Sequence, residues 1–235
     1  MLSLRTQEAY RARYQAVHPG WQPSSAVYQA WVAAHLTPAT RMLDLGCGRG
    51  GVVERLHGRA RLVTGLEPDF RSLREHRTPQ LALVAGRGER LPYPDRSFEL
   101  VCCSWVLEHL PEPERVLAEV ARVLTADGRF IFLTPNARHP MLLANRVLSR
   151  MRAGWVQRLY GRAEEDTFTA LYRANTPTRL DRLATQAGLT RVALRLVGDP
   201  SYLAFNEPLF RLSCLLERVT PPSWLIHLVG EYAAS

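Results

Sequence analysis

Short apolar runs separated by amphipathic stretches set the pattern of this chain from residue 40 onward. Five runs have strand length and strand composition: RMLDL (41–45), RLVTGLE (61–67), LALVAG (81–86), FELVCCS (98–104) and RFIFLTP (129–135). The stretches between them carry helical signals. GVVERLHG ends at Gly58, and a charged segment runs from a turn at Pro68 through Arg77. PERVLAEVARVL (113–124) sets Val116, Leu117, Val120, Val123 and Leu124 on one face, the spacing of an amphipathic helix. Strands alternating with helices predict a doubly wound, mostly parallel α/β sheet with ligands at the carboxyl ends of its strands.

The flanks read differently. Residues 5–17 and 24–35 carry helical patterns, with Tyr10, Tyr14, Trp21, Tyr28 and Trp31 in and beside them. Residues 140–175 read as helical, rich in arginine and aromatic side chains. TPTRLDRLATQAG is a well-signed helix, with Thr176 as N-cap, Pro177 in the first position and Gly188 past the end. LTRVALRLVG (189–198) makes a sixth strand, and residues 206–219 an amphipathic helix whose LFRLSCLLERV stretch is expected to pack into the core rather than against lipid. SWLIHLV (223–229) reads as a last strand, although the same run fits a helix. The expected whole is one domain over residues 1–235. Its Rossmann-like, seven-stranded core starts in 40–136, under a helical cover from 1–39 and from insertions after strands five and six within 137–235.

Composition changes this picture little. A chain of 235 residues, 46% hydrophobic and 22% charged, has the size and balance of a soluble protein with one core. The net charge is +8, and every one of the 30 basic residues is arginine. The arginines are scattered, with a mild concentration between Arg138 and Arg162, and form no basic stripe interleaved with aromatics. No nucleic-acid partner is expected. No apolar run is long enough to span a bilayer and no signal-peptide block opens the chain, so a cytoplasmic protein without a membrane span is expected. Cys47, Cys102, Cys103 and Cys214 show no metal-ligand spacing. They read as small buried hydrophobes in a reducing compartment, and Cys102 and Cys103 should point to opposite faces of their strand.

Candidate chemistry begins at RMLDLGCGRGG (41–51). Gly46, Gly48 and Gly51 spell the G-x-G-x-x-G of a dinucleotide turn. Asp44, two residues earlier, argues against that reading, because a carboxylate at this strand end repels a diphosphate. It attracts a group bearing an ammonium and a sulfonium, which are the charges of S-adenosylmethionine. A turn-capping carboxylate satisfied by backbone amides is the plain alternative.

LDLGCGRGG, GLEPD and LPYPDRSFELVCCSWVLEHLPEPERVLAEVARVLTADGRFIFLTPN together resemble the class I S-adenosylmethionine-dependent methyltransferases. The likeness is greatest to the ubiquinone and menaquinone biosynthesis branch and covers residues 40–136. It implies that Asp44, Gly46, Cys47 and Gly48 line the methionine part of the cofactor, with Glu67 accepting both ribose hydroxyls. It implies further that Pro68 and Leu91 flank the adenine, that Gly88 and Glu89 offer it backbone amides, and that Ser104 marks the backbone near the amino group. One position departs: Arg87 stands where members of the family carry an aspartate that accepts from the adenine amino group. Arginine has donors only, so either water or a backbone carbonyl replaces that contact, or Arg87 turns to solvent and stacks its plane on the base.

Methyl transfer to a hydroxyl needs alignment and a base for the released proton. His109, in the LEHL segment after the fourth strand, is the first candidate for that base, against a structural role near the strand end. His18, His139 and Tyr172 are weaker candidates on the covers; Tyr10 and Tyr14 are candidates to close over the cofactor, against plain packing, and YRANTP (172–177) is a candidate acceptor loop. No carboxylate cluster suggests a metal. The reading is transfer of a methyl group to a small or medium-sized acceptor, such as a sugar, polyketide-like or quinone-type hydroxyl. The rival is a cofactor-binding module without catalysis that acts through a partner; a nucleic-acid methyltransferase ranks lower. Oligomeric state is not written in the sequence.

Overall fold

The computed structural model of the chain describes residues 4–144 and 169–234. Its centre is a sheet of β1 (Arg41–Leu45), β2 (Leu62–Glu67), β3 (Ala82–Ala85), β4 (Phe98–Ser104), β5 (Leu124–Pro135), β6 (Leu189–Val197) and β7 (His227–Ala234). The order is β3-β2-β1-β4-β5-β7-β6, with β7 antiparallel to both neighbours and the other pairings parallel. The start of β7 pairs with the end of β5, His227 opposite Pro135. His227 therefore lies on the same edge of the sheet as the carboxyl ends of β1 to β5.

The helices cover both faces. α2 (Ser24–Ala34) and α3 (Val52–Leu56) lie on one, where Val27, Tyr28, Val32, Val53 and Leu56 meet Met42, Leu100, Cys102 and Ile131. α5 (Pro113–Val123) and α6 (Pro177–Gln186) lie on the other, burying Val116, Leu117, Val120, Leu180 and Leu183 against Leu43, Val101, Cys103 and Phe130. Each such side chain stabilises by about 1.5–3 kcal/mol when fully buried. Cys102 and Cys103 fall on opposite faces, as strand alternation requires. α4 (Phe70–Arg74) is shorter than the charged segment suggested, and is capped by Asp69, whose carboxylate accepts from Arg71 and Ser72 amides.

α1 (Leu4–Val17) leaves the sheet and packs on the insertion between β6 and β7. Tyr10 meets Phe210 with ring centroids 4.4 Å apart, Arg11 pairs with Asp199 at 2.7 Å, and the Trp21 indole donates to the Gly198 carbonyl at 2.9 Å. The N-terminal helix and the β6–β7 insertion thereby meet at the carboxyl edge of the sheet.

Four expectations need correction. β5 starts at Leu124, because a register shift opposite Phe98–Leu100 lets residues 125–128 loop out inside the strand. The last strand is a strand, but it starts at His227; Pro221 and Pro222 hold Pro222–Trp224 in a short 3-10 turn instead. Residues 169–175 are not helical: the amides of Leu171 and Tyr172 both donate to the Glu108 carbonyl, at 2.7 and 3.0 Å. Of the long helical stretch expected over 140–175, residues 145–168 lie outside the described residues. Finally, α7 (Glu207–Val219) buries Phe210 and Ser213, while Leu209, Leu212, Leu215, Leu216 and Val219 are all more than a third exposed. The expected core packing therefore holds for one side of this helix only. Among the described residues no helix is long and apolar enough to cross a membrane.

Candidate active site

The turn after β1 is built by left-handed backbone. Gly46 has φ +74° and Gly48 φ +52°, conformations that glycine enters without a Cβ penalty. A Cβ at Gly46 would lie 2.2 Å from Val106 Cγ2, whereas one at Gly48 would meet nothing within 4 Å. Space is thus open above Gly48 and closed behind Gly46. The Gly46 and Cys47 amides are tied to the Leu66 carbonyl at 2.8 and 3.2 Å, which joins the turn to the end of β2. The Cys47 side chain turns inward, is 3% exposed, and burial pushes its thiol up to about 12. Only its backbone faces the turn.

Two carboxylates flank this turn. Glu67 ends β2 and is 6% exposed; its Oε2 accepts from the Gly48 amide and its Oε1 from the Asp69 amide, both at 3.0 Å. Burial raises its pKa, and the two amides oppose that shift. Each oxygen keeps a second lone pair, the right complement for a diol. Asp44 is 4% exposed, beside the Cys102 thiol at 3.6 Å. Burial pushes its carboxyl up to about 7, helped by Glu67 and opposed by the thiol. Among the described residues no cation pairs with Asp44, and a cation brought to the open turn would supply one.

The loop after β3 forms the next wall. Pro68 and Arg87 are exposed, with Arg87 turned to solvent, and Gly88 and Glu89 are half-buried. Leu91 is less open than expected: its side chain is 4% exposed in the core and its amide donates to Glu119 Oε2 at 2.7 Å. Arg122 of α5 holds this loop. It pairs with Glu119 and Asp95 at 2.7 Å and donates to the Leu91 and Tyr93 carbonyls at 3.1 and 2.8 Å. Neither Glu119 nor Arg122 stood out in the sequence, since both sit on the polar side of an ordinary helical stripe.

Ser104 ends β4, half-buried, and is followed by Trp105 at φ +59°, whose amide donates to the Leu133 carbonyl at 2.9 Å. A 3-10 turn, Leu107–His109, then carries the candidate base. The His109 ring is partly exposed, with Nδ1 3.2 Å from the Thr169 carbonyl and Nε2 3.9 Å from Glu108 Oε1. Glu108 is buried and accepts from Thr134 Oγ1 at 3.0 Å, which in turn accepts from Asn175 Nδ2 at 2.6 Å. The YRANTP loop is thereby moored beside His109. His18 stacks on Tyr14 at 4.1 Å, away from these groups on the N-terminal cover, and His139 is half-buried with burial lowering its pKa.

Open space over a glycine turn, a diol-matched carboxylate and a second carboxyl with no cationic partner among the described residues fit S-adenosylmethionine. The comparisons agree. A family model described as a methyltransferase domain matches residues 43–132, the span that holds every one of these features except the two covers. The chain carries a class I S-adenosylmethionine-dependent methyltransferase domain. Its cofactor is S-adenosylmethionine. The methyltransferase is similar to the ubiquinone biosynthesis O-methyltransferase of Thiobacillus denitrificans, at 26% identity over 74% of this chain and 79% of that one. It is 34% identical to a probable S-adenosylmethionine-dependent methyltransferase of Mycolicibacterium smegmatis, over 47% of this chain and 43% of the relative. The YcgJ protein of Bacillus subtilis shares the fold, with a TM-score of 0.61 and 15% identity over 90% of this methyltransferase and 97% of that chain.

Proposed function

We propose that this methyltransferase moves the methyl group to a hydroxyl of a small or medium-sized acceptor, with His109 as the proton acceptor. The setting of His109 carries the reading. A carbonyl oxygen accepts only, so Nδ1, facing Thr169, is the donor and the neutral ring has its lone pair on Nε2. A proton taken there would face Glu108 Oε1, 3.9 Å away. The O-methyl transfer in the name of the Thiobacillus relative supports the same reading.

The cofactor supplies a methyl already activated on a sulfonium. The chain's own residues then bind and orient: Glu67 the ribose diol; Asp44 the cationic methionine end; the backbone of Gly46, Cys47, Gly48 and Ser104 the same region. Gly88 and Glu89 meet the adenine by their amides, with Pro68 beside its face. Arg87, pointing to solvent, leaves the adenine amino group to water or a carbonyl. Leu91 acts from beneath, through the loop it anchors. We propose one catalytic unit over the whole chain, in which residues 1–39 and 137–235 enclose the acceptor, working in the cytoplasm on a small molecule rather than a nucleic acid.

The test is a screen with 13C-methyl-labelled cofactor against sugars, polyketide-like phenols and quinols. A methoxy carbon signal in the product supports the reading. A labelled carbon- or nitrogen-bound methyl contradicts it.

A further inference from the structure

Trp105 is assigned no role by the sequence, yet three separate parts of the chain are organised around it. It follows Ser104 directly and keeps a left-handed backbone, φ +59°, which a bulky residue adopts only when its surroundings enforce it. Its amide is held by Leu133 of β5, while its indole remains 39% exposed at the carboxyl edge of the sheet. The indole and the His227 ring meet in a T-shaped contact, with centroids 5.0 Å apart and planes 79° apart.

His227 is almost fully buried, and both of its nitrogens are engaged. Nδ1 lies 2.9 Å from Ser24 Oγ, on the first residue of α2, and Nε2 lies 2.9 Å from the Tyr202 hydroxyl in the β6–β7 insertion. Tyr202 also packs on the imidazole, with centroids 5.3 Å apart. The N-terminal cover and the late insertion are thereby pinned to the ring that buttresses Trp105. Burial pushes the imidazole down to about 4, Arg11 and His139 adding to the shift and Asp199 opposing it. The ring is neutral at working pH, so this wall brings no positive charge near a cationic sulfonium.

We propose that Trp105 is the platform on which a planar aromatic acceptor stacks, with His227 and Tyr202 as positioning residues that hold the indole in place. The proposal rests on the hydroxyl-acceptor reading above and narrows it to phenols. An indole face recognises a flat ring through offset stacking and apolar contact, and gives a straight-chain alcohol far less. The buttress fixes the plane of the stack, which fixes the direction in which a ring hydroxyl points. That is the alignment an in-line displacement requires.

The full chain, with S-adenosylmethionine, is assayed against soluble mono- and dihydroxybenzenes and, in parallel, straight-chain alcohols. Trp105→Leu should raise KM for the phenols about tenfold, with S-adenosylhomocysteine affinity unchanged as the check on folding. Trp105→Phe should restore most of the loss. His227→Ala should mimic Trp105→Leu, and His227→Gln should recover part of it. Equal loss of S-adenosylhomocysteine affinity in Trp105→Leu, or methylation of alcohols alone and untouched by that substitution, overturns the platform; the second result leaves the hydroxyl reading standing. Absence of any phenol binding overturns it too. Phenol binding that quenches indole fluorescence in the wild type, is lost in Trp105→Leu, and yields no methoxy product supports the platform and defeats the hydroxyl reading.

Discussion

The Glu67 carboxylate accepts the Gly48 amide at 3.0 Å, so the end of β2 and the glycine turn after β1 form one rigid unit. The same oxygens are the proposed partners of the ribose diol. Glu67→Ala therefore removes a ligand contact and loosens the turn that shapes the site. Each charge-assisted bond is worth roughly 1.5–3 kcal/mol before water compensates. S-adenosylhomocysteine affinity should fall at least about tenfold by calorimetry, with the melting transition still cooperative. Unchanged affinity would mean that the ribose is held elsewhere.

Asp44 makes both stability and binding depend on pH. Its folded carboxyl is raised from 3.8 to about 7, so the folded chain holds that proton more tightly than the unfolded one. Its contribution to stability is complete below about pH 4, declines as pH rises toward 7, and is flat above, with a slope approaching about 1.4 kcal/mol per unit. Cofactor binding runs the other way, because a cationic ligand selects the carboxylate: affinity should climb between pH 5 and 7 and then level. Asp44→Asn should flatten both profiles and weaken binding. Parallel profiles in wild type and variant would exclude Asp44 as the titrating group.

Arg122 ties α5 to the loop that carries Gly88 and Glu89. Replacing it with methionine keeps the stem and removes four contacts, and leaves Glu119 without its pair. Because the guanidinium is partly exposed, the expected stability loss is modest, about 1–2 kcal/mol, measured by urea denaturation. Cofactor affinity should drop severalfold through the loop. A stability loss with no change in affinity would show that the loop does not contribute to the adenine site.

His109→Ala should bind S-adenosylhomocysteine normally and transfer methyl about 10²–10⁴-fold more slowly, once an acceptor is in hand. His109→Gln keeps a hydrogen-bonding group without a useful base and should be nearly as slow. A glutamine variant with most of its activity would make His109 an orienting residue.

The strands and helices from residue 41 to 135 were legible because each carries its own local signal: strand-length apolar runs, one-face helical spacing, glycine punctuation. The glycine turn with Asp44 was legible for the same reason, whereas Glu67 was marked out by the family resemblance. Position in the sheet was not. The start of β7 was missed because IHLVGEYAA alternates only weakly; Gly230 sits within it because a Cβ there would lie 2.2 Å from the Phe132 ring, a tertiary cause. His227 looked like a single histidine in an apolar run, and only the antiparallel pairing of β7 brings it beside Trp105. The outward leucines of α7 read as core because periodicity marks a stripe without saying which way it faces. Residues 169–175 read as helical because the capture of Leu171 and Tyr172 by the Glu108 carbonyl depends on a contact between residues 63 and 64 positions apart in the chain.

The most direct measurement is a pair of calorimetric titrations of the purified full chain, one with S-adenosylhomocysteine and one with NADH. The buried carboxyl of Asp44 beside a glycine turn favours a cationic methionine end and repels a diphosphate. S-adenosylhomocysteine should bind saturably at a single site, and NADH should produce no saturable heat. Saturable NADH binding, with none for S-adenosylhomocysteine, would contradict the account at its root.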